Sequence, residues 1–96
     1  PGLMPAGDQA ATTVKSWLTN SNDSYWISNP AMPHRELSPI LGKYRTARSL
    51  RTRSNFIETG AALAAGKLDH ARAKALAFGN ASLAADLVVP ELLTLC

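Results

Sequence analysis

The stretch Ala61-Ala-Leu-Ala-Ala-Gly-Lys-Leu-Asp-His-Ala-Arg-Ala-Lys-Ala-Leu-Ala77 leaves the chain less conformational choice than any other part. Alanine and leucine favour helix, so helix is the default on both sides of Gly66. Gly66 supplies the left-handed residue on which helices commonly stop. Asp69 can accept an orphan backbone amide and so start the next helix, predicted over His70 to Phe78 and ended by Gly79. A helix, a short turn and a second helix are therefore expected in consecutive residues.

Similar punctuation extends the pattern both ways. Ser54 or Asn55 is expected to cap a helix over Phe56 to Ala65, with Phe56, Gly60 and Leu63 on its packing side. Gly60 costs about 1 kcal/mol of helix stability against alanine, which close approach of a neighbouring helix would offset. Asn80 or Ser82 starts a further helix through Val89, and Pro90 opens a last turn. Near the start, Asp8 is placed to cap a helix over residues 9–19, where Ala10, Val14, Trp17 and Leu18 recur at helical spacing.

Residues 20–33 read as loop, because Pro30 and Pro33 remove amide donors and restrict the residues before them. Within it Tyr25-Trp26-Ile27 either folds back as an apolar plug or offers a stacking platform for bases. Beyond the loop two readings stay open. Either Pro33 opens a short helix through Leu37 and Ser38-Pro39 starts another, or Glu36 to Leu41 forms one short helix that ends at Gly42 and a new helix begins beyond it. In both, Tyr44, Ala47 and Leu50 share one side, while Arg45 and Arg48 project from the other. No strand-like alternation occurs. The predicted fold class is all-α: a compact bundle of five or six short helices, one arrangement of which includes a helix-turn-helix. Residues 1–6 read as a leader or linker. Residues 7–96 read as a single helical domain or as a fragment of a longer protein, with Leu50 and Leu63 among its core positions.

The net charge of +3 is unevenly placed. Eight of the ten basic residues, Lys43, Arg45, Arg48, Arg51, Arg53, Lys67, Arg72 and Lys74, fall in one segment opposed only by Glu58 and Asp69. That segment carries +6 and the remainder −3. Charge segregated this way suits a polyanion, although a solvated helix face has the same composition. No run reaches the ~18–20 apolar residues that a membrane-spanning helix needs, and no basic-then-apolar start resembles a signal peptide. Cys96 is the one cysteine, so no internal disulfide can form and a cytoplasmic setting is the default expectation. His34 and His70 lack the companions of a zinc site. No phosphate loop or nucleophile elbow is present, so no metal, no cofactor and no catalytic role are expected.

The Ala61–Ala77 stretch resembles two families that share a helix end, a Gly-Lys/Arg-Leu/Ile turn and an alanine-rich basic helix. One is the actinobacterial helical repeat family found ahead of HNH endonuclease domains. The other is the helical DNA-binding domain of ParB/KorB partition proteins. Gly66, Lys67, Leu68, Ala73 and Leu76 match the shared pattern, Asp69 stands at its serine and Arg72 at its histidine. Trp17-Leu18 and Ala47-Arg48-Ser49-Leu50 resemble upstream features of the repeat family. Residues 36–43 resemble the first helix and turn of the partition family's helix-turn-helix, which places Arg45 and Arg48 on a recognition helix. Phe56-Ile57 departs from the Leu-Pro of the families. No His-Asn-His motif is present, so the resemblance does not imply nuclease activity. It implies DNA as partner, with the eight basic residues on phosphates and base edges. The alternative is a protein-interaction or self-assembly module built on the small-residue surface of Gly60, Ala61, Ala64 and Ala65.

Overall fold

The computed structural model describes residues 3–96. Two compact units divide the chain, Pro1–Arg48 and Ser49–Cys96.

The second unit is helical. Helix α1 spans Leu50–Ala64, α2 His70–Ala77 and α3 Leu83–Leu95, with α1 packed against both of the others. Each begins on a side-chain cap. The Ser49 hydroxyl accepts from the Thr52 amide at 3.2 Å, the Asp69 carboxylate from the Arg72 amide at 2.8 Å, and the Ser82 hydroxyl from the Ala85 amide at 3.4 Å. Each bond satisfies one of the amides that a first helical turn leaves without a partner. Gly66 follows α1 at φ 122°, where its amide donates to the Leu63 carbonyl at 3.1 Å. The stop at Gly66 and the start at Asp69 thus form as the sequence implies, because both are decided within one turn of chain.

Two boundaries differ from expectation. Ser54 and Asn55 lie inside α1, since Ser49 offers an equivalent cap one turn and more upstream. The Ser54 hydroxyl is turned instead to the Glu58 carboxylate, at 2.6 Å. Helix α3 also runs through Pro90. A proline ring keeps a helical φ, and what it gives up is the amide that would serve the Asp86 carbonyl. Gly60 has open space where a Cβ would stand, so no helix approaches closely there.

The first unit is not a helical bundle. Residues 9–20 hold no helix, and the regular elements are single 3-10 turns at Ala6–Asp8 and Pro39–Leu41. Asp8 lies within the first turn rather than capping a helix. Thr12-Thr13-Val14 is a β-branched run, which loses rotamer freedom in a helix, and the apolar spacing did not offset that. The leader or linker expected over residues 1–6 falls partly outside the described residues. Ser38-Pro39 does start a turn, which closes at Gly42 with φ 131°. A Cβ on Gly42 would sit 2.6 Å from Ser24 Oγ, so the turn needs glycine for backbone and for space. Residues 43–49 then run without helix, and Arg45 adopts φ 52°. No recognition helix carries Arg45 and Arg48.

The fold is therefore all-helical in its regular structure, with no strand among the described residues and three α-helices rather than five or six. Buried residues are few in each unit. Among the described residues Ile27 and Leu37, both in the first unit, are the buried apolar ones. Asn29 of the first unit and Thr52 of the second, each 2% exposed, are buried beside polar partners. Leu50 and Leu63 are not core, at 43% and 36% exposed. Thr52 and Thr59, two turns apart, mark the buried side of α1. Leu50 lies about 180° round the helix from Thr59, and Leu63 sits in the last turn.

Candidate functional site

Within the first unit, residues 19–34 form a loop held in place by side chains bonded to main chain. Asn29 is its centre. Its amide nitrogen donates to the Trp17 carbonyl at 2.9 Å and to Ser16 Oγ at 3.3 Å, and its Oδ1 accepts from the Ala31 amide at 2.9 Å. A buried amide with all these partners holds two chain segments, around Trp17 and around Asn29 itself, in one register. The Thr19 amide donates to the Ser28 carbonyl and the His34 amide to the Trp26 carbonyl, both at 2.9 Å, closing the loop across its base.

Two further ties run to the segment after the loop. The Ser24 hydroxyl donates to the Lys43 carbonyl at 2.5 Å, and Tyr25 Oη accepts from the Leu37 amide at 2.8 Å. Tyr25 and Trp26 meet His34 and Tyr44 edge-on, with ring centroids 6.2 and 6.0 Å apart. Ile27 is buried at 5% exposed. The aromatic triplet is thus the plug of the two sequence readings, although it packs on loop rather than on helix.

At the head of this frame stands a polar turn. Asn20 Oδ1 accepts from the Asn22 amide at 2.8 Å, and Asn22 adopts φ 62°. Asparagine is among the few residues that tolerate this region, and such conformations persist where surrounding structure enforces them. Asn20 and Asn22 are exposed while Ser21 between them is buried. Beside the frame lies a cavity of about 220 Å³ lined by Ala10, Thr12, Leu18, Tyr25, Ser28, Met32 and His34. On its wall Thr12 Oγ1 and His34 Nε2 are hydrogen-bonded. Sequence reasoning passed over Asn29, Ser24 and the Thr12–His34 pair. Their partners lie 12 to 22 residues away, so no local signal marks them.

The eight basic residues are not gathered on one helix. Lys43, Arg45 and Arg48 belong to the first unit; Arg51, Arg53, Lys67, Arg72 and Lys74 belong to the second. The segment that carries +6 along the chain is thereby divided. The first unit holds five basic against three acidic residues and the second five against four. Arg45 lies over the Tyr44 ring, its Cζ 5.4 Å from the centroid. Arg72 is half-buried and binds main chain. Its guanidinium donates to the Lys67 carbonyl at 2.7 Å and the Ala62 carbonyl at 2.6 Å, tying the end of α1 to α2. Among the described residues no cluster of His, Cys, Asp and Glu could hold a metal ion. No described helix is long and apolar enough to cross a membrane.

Known proteins similar to the chain bear on the DNA reading. No family model matches it, and no solved structure does. It is 37% identical, over 102 aligned residues, to aculeacin-A acylase of Actinoplanes utahensis. It is 30% identical, over 95 residues, to the acyl-homoserine lactone acylases PvdQ of Pseudomonas savastanoi pv. phaseolicola and Pseudomonas syringae pv. syringae. These alignments take in 100% and 99% of the chain but only 13% and 12% of the relatives.

That finding overturns the resemblance to the HNH-associated repeats and the ParB/KorB domains. It overturns with it DNA as partner, the DNA-binding helix-turn-helix and the expectation of a chain without enzymatic role. The physical reason lies in what the matched pattern encodes. Gly66, Lys67, Leu68 and Asp69 specify a helix stop and a helix start, which unrelated helical proteins need equally.

Proposed function

We propose that the chain is one segment of an acylase, a larger enzyme that removes an acyl group from an acylated compound. The observation that carries this reading is the extent of the similarity. It runs through both units, from the loop frame to α3, in relatives that share the word acylase in their names. An amide-linked acyl group would leave as a carboxylic acid while water supplies the atoms and the amine departs with a proton.

The share of this segment in that chemistry is positional. The frame around Asn29, Ser24 and Tyr25 fixes the turn at Asn20–Asn22, and this turn is the part we assign to the substrate side. Its exposed amide side chains can donate and accept hydrogen bonds, and its backbone is already held in the sparsely populated conformation. Groups set in advance stabilise developing charge without reorganising as the reaction proceeds.

A chimaera tests the reading. The aligned stretch of the Actinoplanes utahensis acylase is replaced by this sequence, and acyl release is measured. The chimaera is expected to keep activity within about tenfold of its parent, a barrier change of about 1.4 kcal/mol. Asn22→Gly within it keeps the backbone and removes the side chain, so a fall in kcat with an unchanged melting temperature assigns the side chain to the site. A folded chimaera without activity refutes the acylase reading. An Asn22→Gly chimaera as active as the unsubstituted one refutes the place given to the turn.

A further inference from the structure

Helix α3 is apolar almost all the way round. Leu95, Val88, Leu92, Val89 and Leu93 follow one another over an arc of about 160°, and they are 82, 51, 51, 45 and 71% exposed. Asp86 in its first turn, with Glu91 and Thr94 further on, are its polar side chains, and no basic residue lies on it. Its first turn shares a cavity wall with Leu50 and Ser54 of α1, so that end is accounted for within the second unit. The turns that follow are not. A helix with apolar residues on every side is the pattern of a buried helix. Pro90 points the same way, because a helix interrupted by proline draws its stability from packing rather than from its own hydrogen bonds.

We propose that the outward face of α3 is an internal packing surface, covered by a second apolar layer of the same acylase polypeptide. The inference rests on the acylase reading. The choice of occupant comes from length and charge. The chain makes up 13% of its Actinoplanes relative, so most of such a polypeptide lies outside this segment and is available as cover. The face carries acids at Asp86 and Glu91 and no base, which disfavours a nucleic acid or an anionic membrane as occupant. Continuous aliphatic surface of this kind is what one layer of a larger domain presents to the next.

The test places Val88→Glu and Leu92→Lys together in the chain alone and in the acylase chimaera. The two new charges stand four residues apart with glutamate first, a pairing that favours helix, so α3 itself is not disrupted. The chain alone is expected to keep its helical circular dichroism. The chimaera is expected to lose at least about 5 °C of melting temperature or to give no soluble protein. Lys74→Glu, at an exposed position, serves as control and leaves its melting unchanged. A doubly substituted chimaera that melts with its parent overturns the proposal, since the face would then be in water. So does an isolated chain that light scattering finds dimeric and the double variant makes monomeric, since the cover would be a second copy. An unsubstituted chimaera that folds but is inactive removes the acylase reading while the melting comparison still judges the packing face. One that does not fold removes both.

Discussion

Replacing Asn29 by alanine tests whether a polar centre holds residues 3–48 together. Asn29 is 2% exposed and makes two bonds of 2.9 Å, to the Trp17 carbonyl and from the Ala31 amide, with a longer one of 3.3 Å to Ser16 Oγ. Each good bond contributes about 1 kcal/mol net, and a buried group left without its partner adds a further ~1–3 kcal/mol. Ala31 and Ser16 are exposed and can turn to water, so the added penalty falls mainly on the half-buried Trp17. The expected loss is roughly 2–3 kcal/mol. Against it stand Ile27 and Leu37, the buried apolar residues, each worth about 1.5–3 kcal/mol. The substitution therefore removes a large part of what holds this unit. Urea unfolding followed by the fluorescence of Trp17 and Trp26 reports on this unit directly. With a slope near 1 kcal/mol per molar urea, the midpoint should fall by about 2–3 M. Asn29→Asp keeps an acceptor for Ala31 but sets a carboxylate against the Trp17 carbonyl, and should lose at least as much. Midpoints for both variants within about 0.5 M of the parent would refute a polar centre.

Three further outcomes are expected. Gly60→Ala should raise the thermal midpoint of the helical signal, by about 1 kcal/mol of stability, because its Cβ enters open space inside α1. Gly42→Ala should destabilise the first unit by about 1–3 kcal/mol in the same urea assay, since its φ of 131° disfavours a side chain and its Cβ would meet Ser24 Oγ. Arg72→Met should lower the helical melting midpoint, with a loss of about 1.5–3 kcal/mol, because charged bonds to the Lys67 and Ala62 carbonyls vanish together. Arg72→Lys should recover only part of that loss, a single ammonium being unable to reproduce the forked geometry.

The capping chemistry of the second half was legible in the sequence. Gly66, Asp69 and Ser82 act through partners within four residues, and such contacts form wherever the surrounding chain is helical. The first half was misread for the opposite reason. Ala10, Val14, Trp17 and Leu18 stand at helical spacing, but Asn29 binds the Trp17 carbonyl from twelve residues away and residues 9–20 hold no helix. The basic segment misled in a related way. Sequence order places Arg48 next to Arg51, whereas the two belong to different compact units. Arg72, which stands at the histidine of the alanine-rich pattern, serves the main chain of its own unit.

By itself the sequence determined the all-helical class, the turn at Gly66 and the start of α2, because these depend on backbone preference and nearest neighbours. Tertiary structure alone decided the loop frame of the first unit and the half-exposure of Leu50 and Leu63. The frame depends on which distant carbonyl or amide each polar side chain reaches, and the exposure on which helix face its neighbours cover; chain order encodes neither.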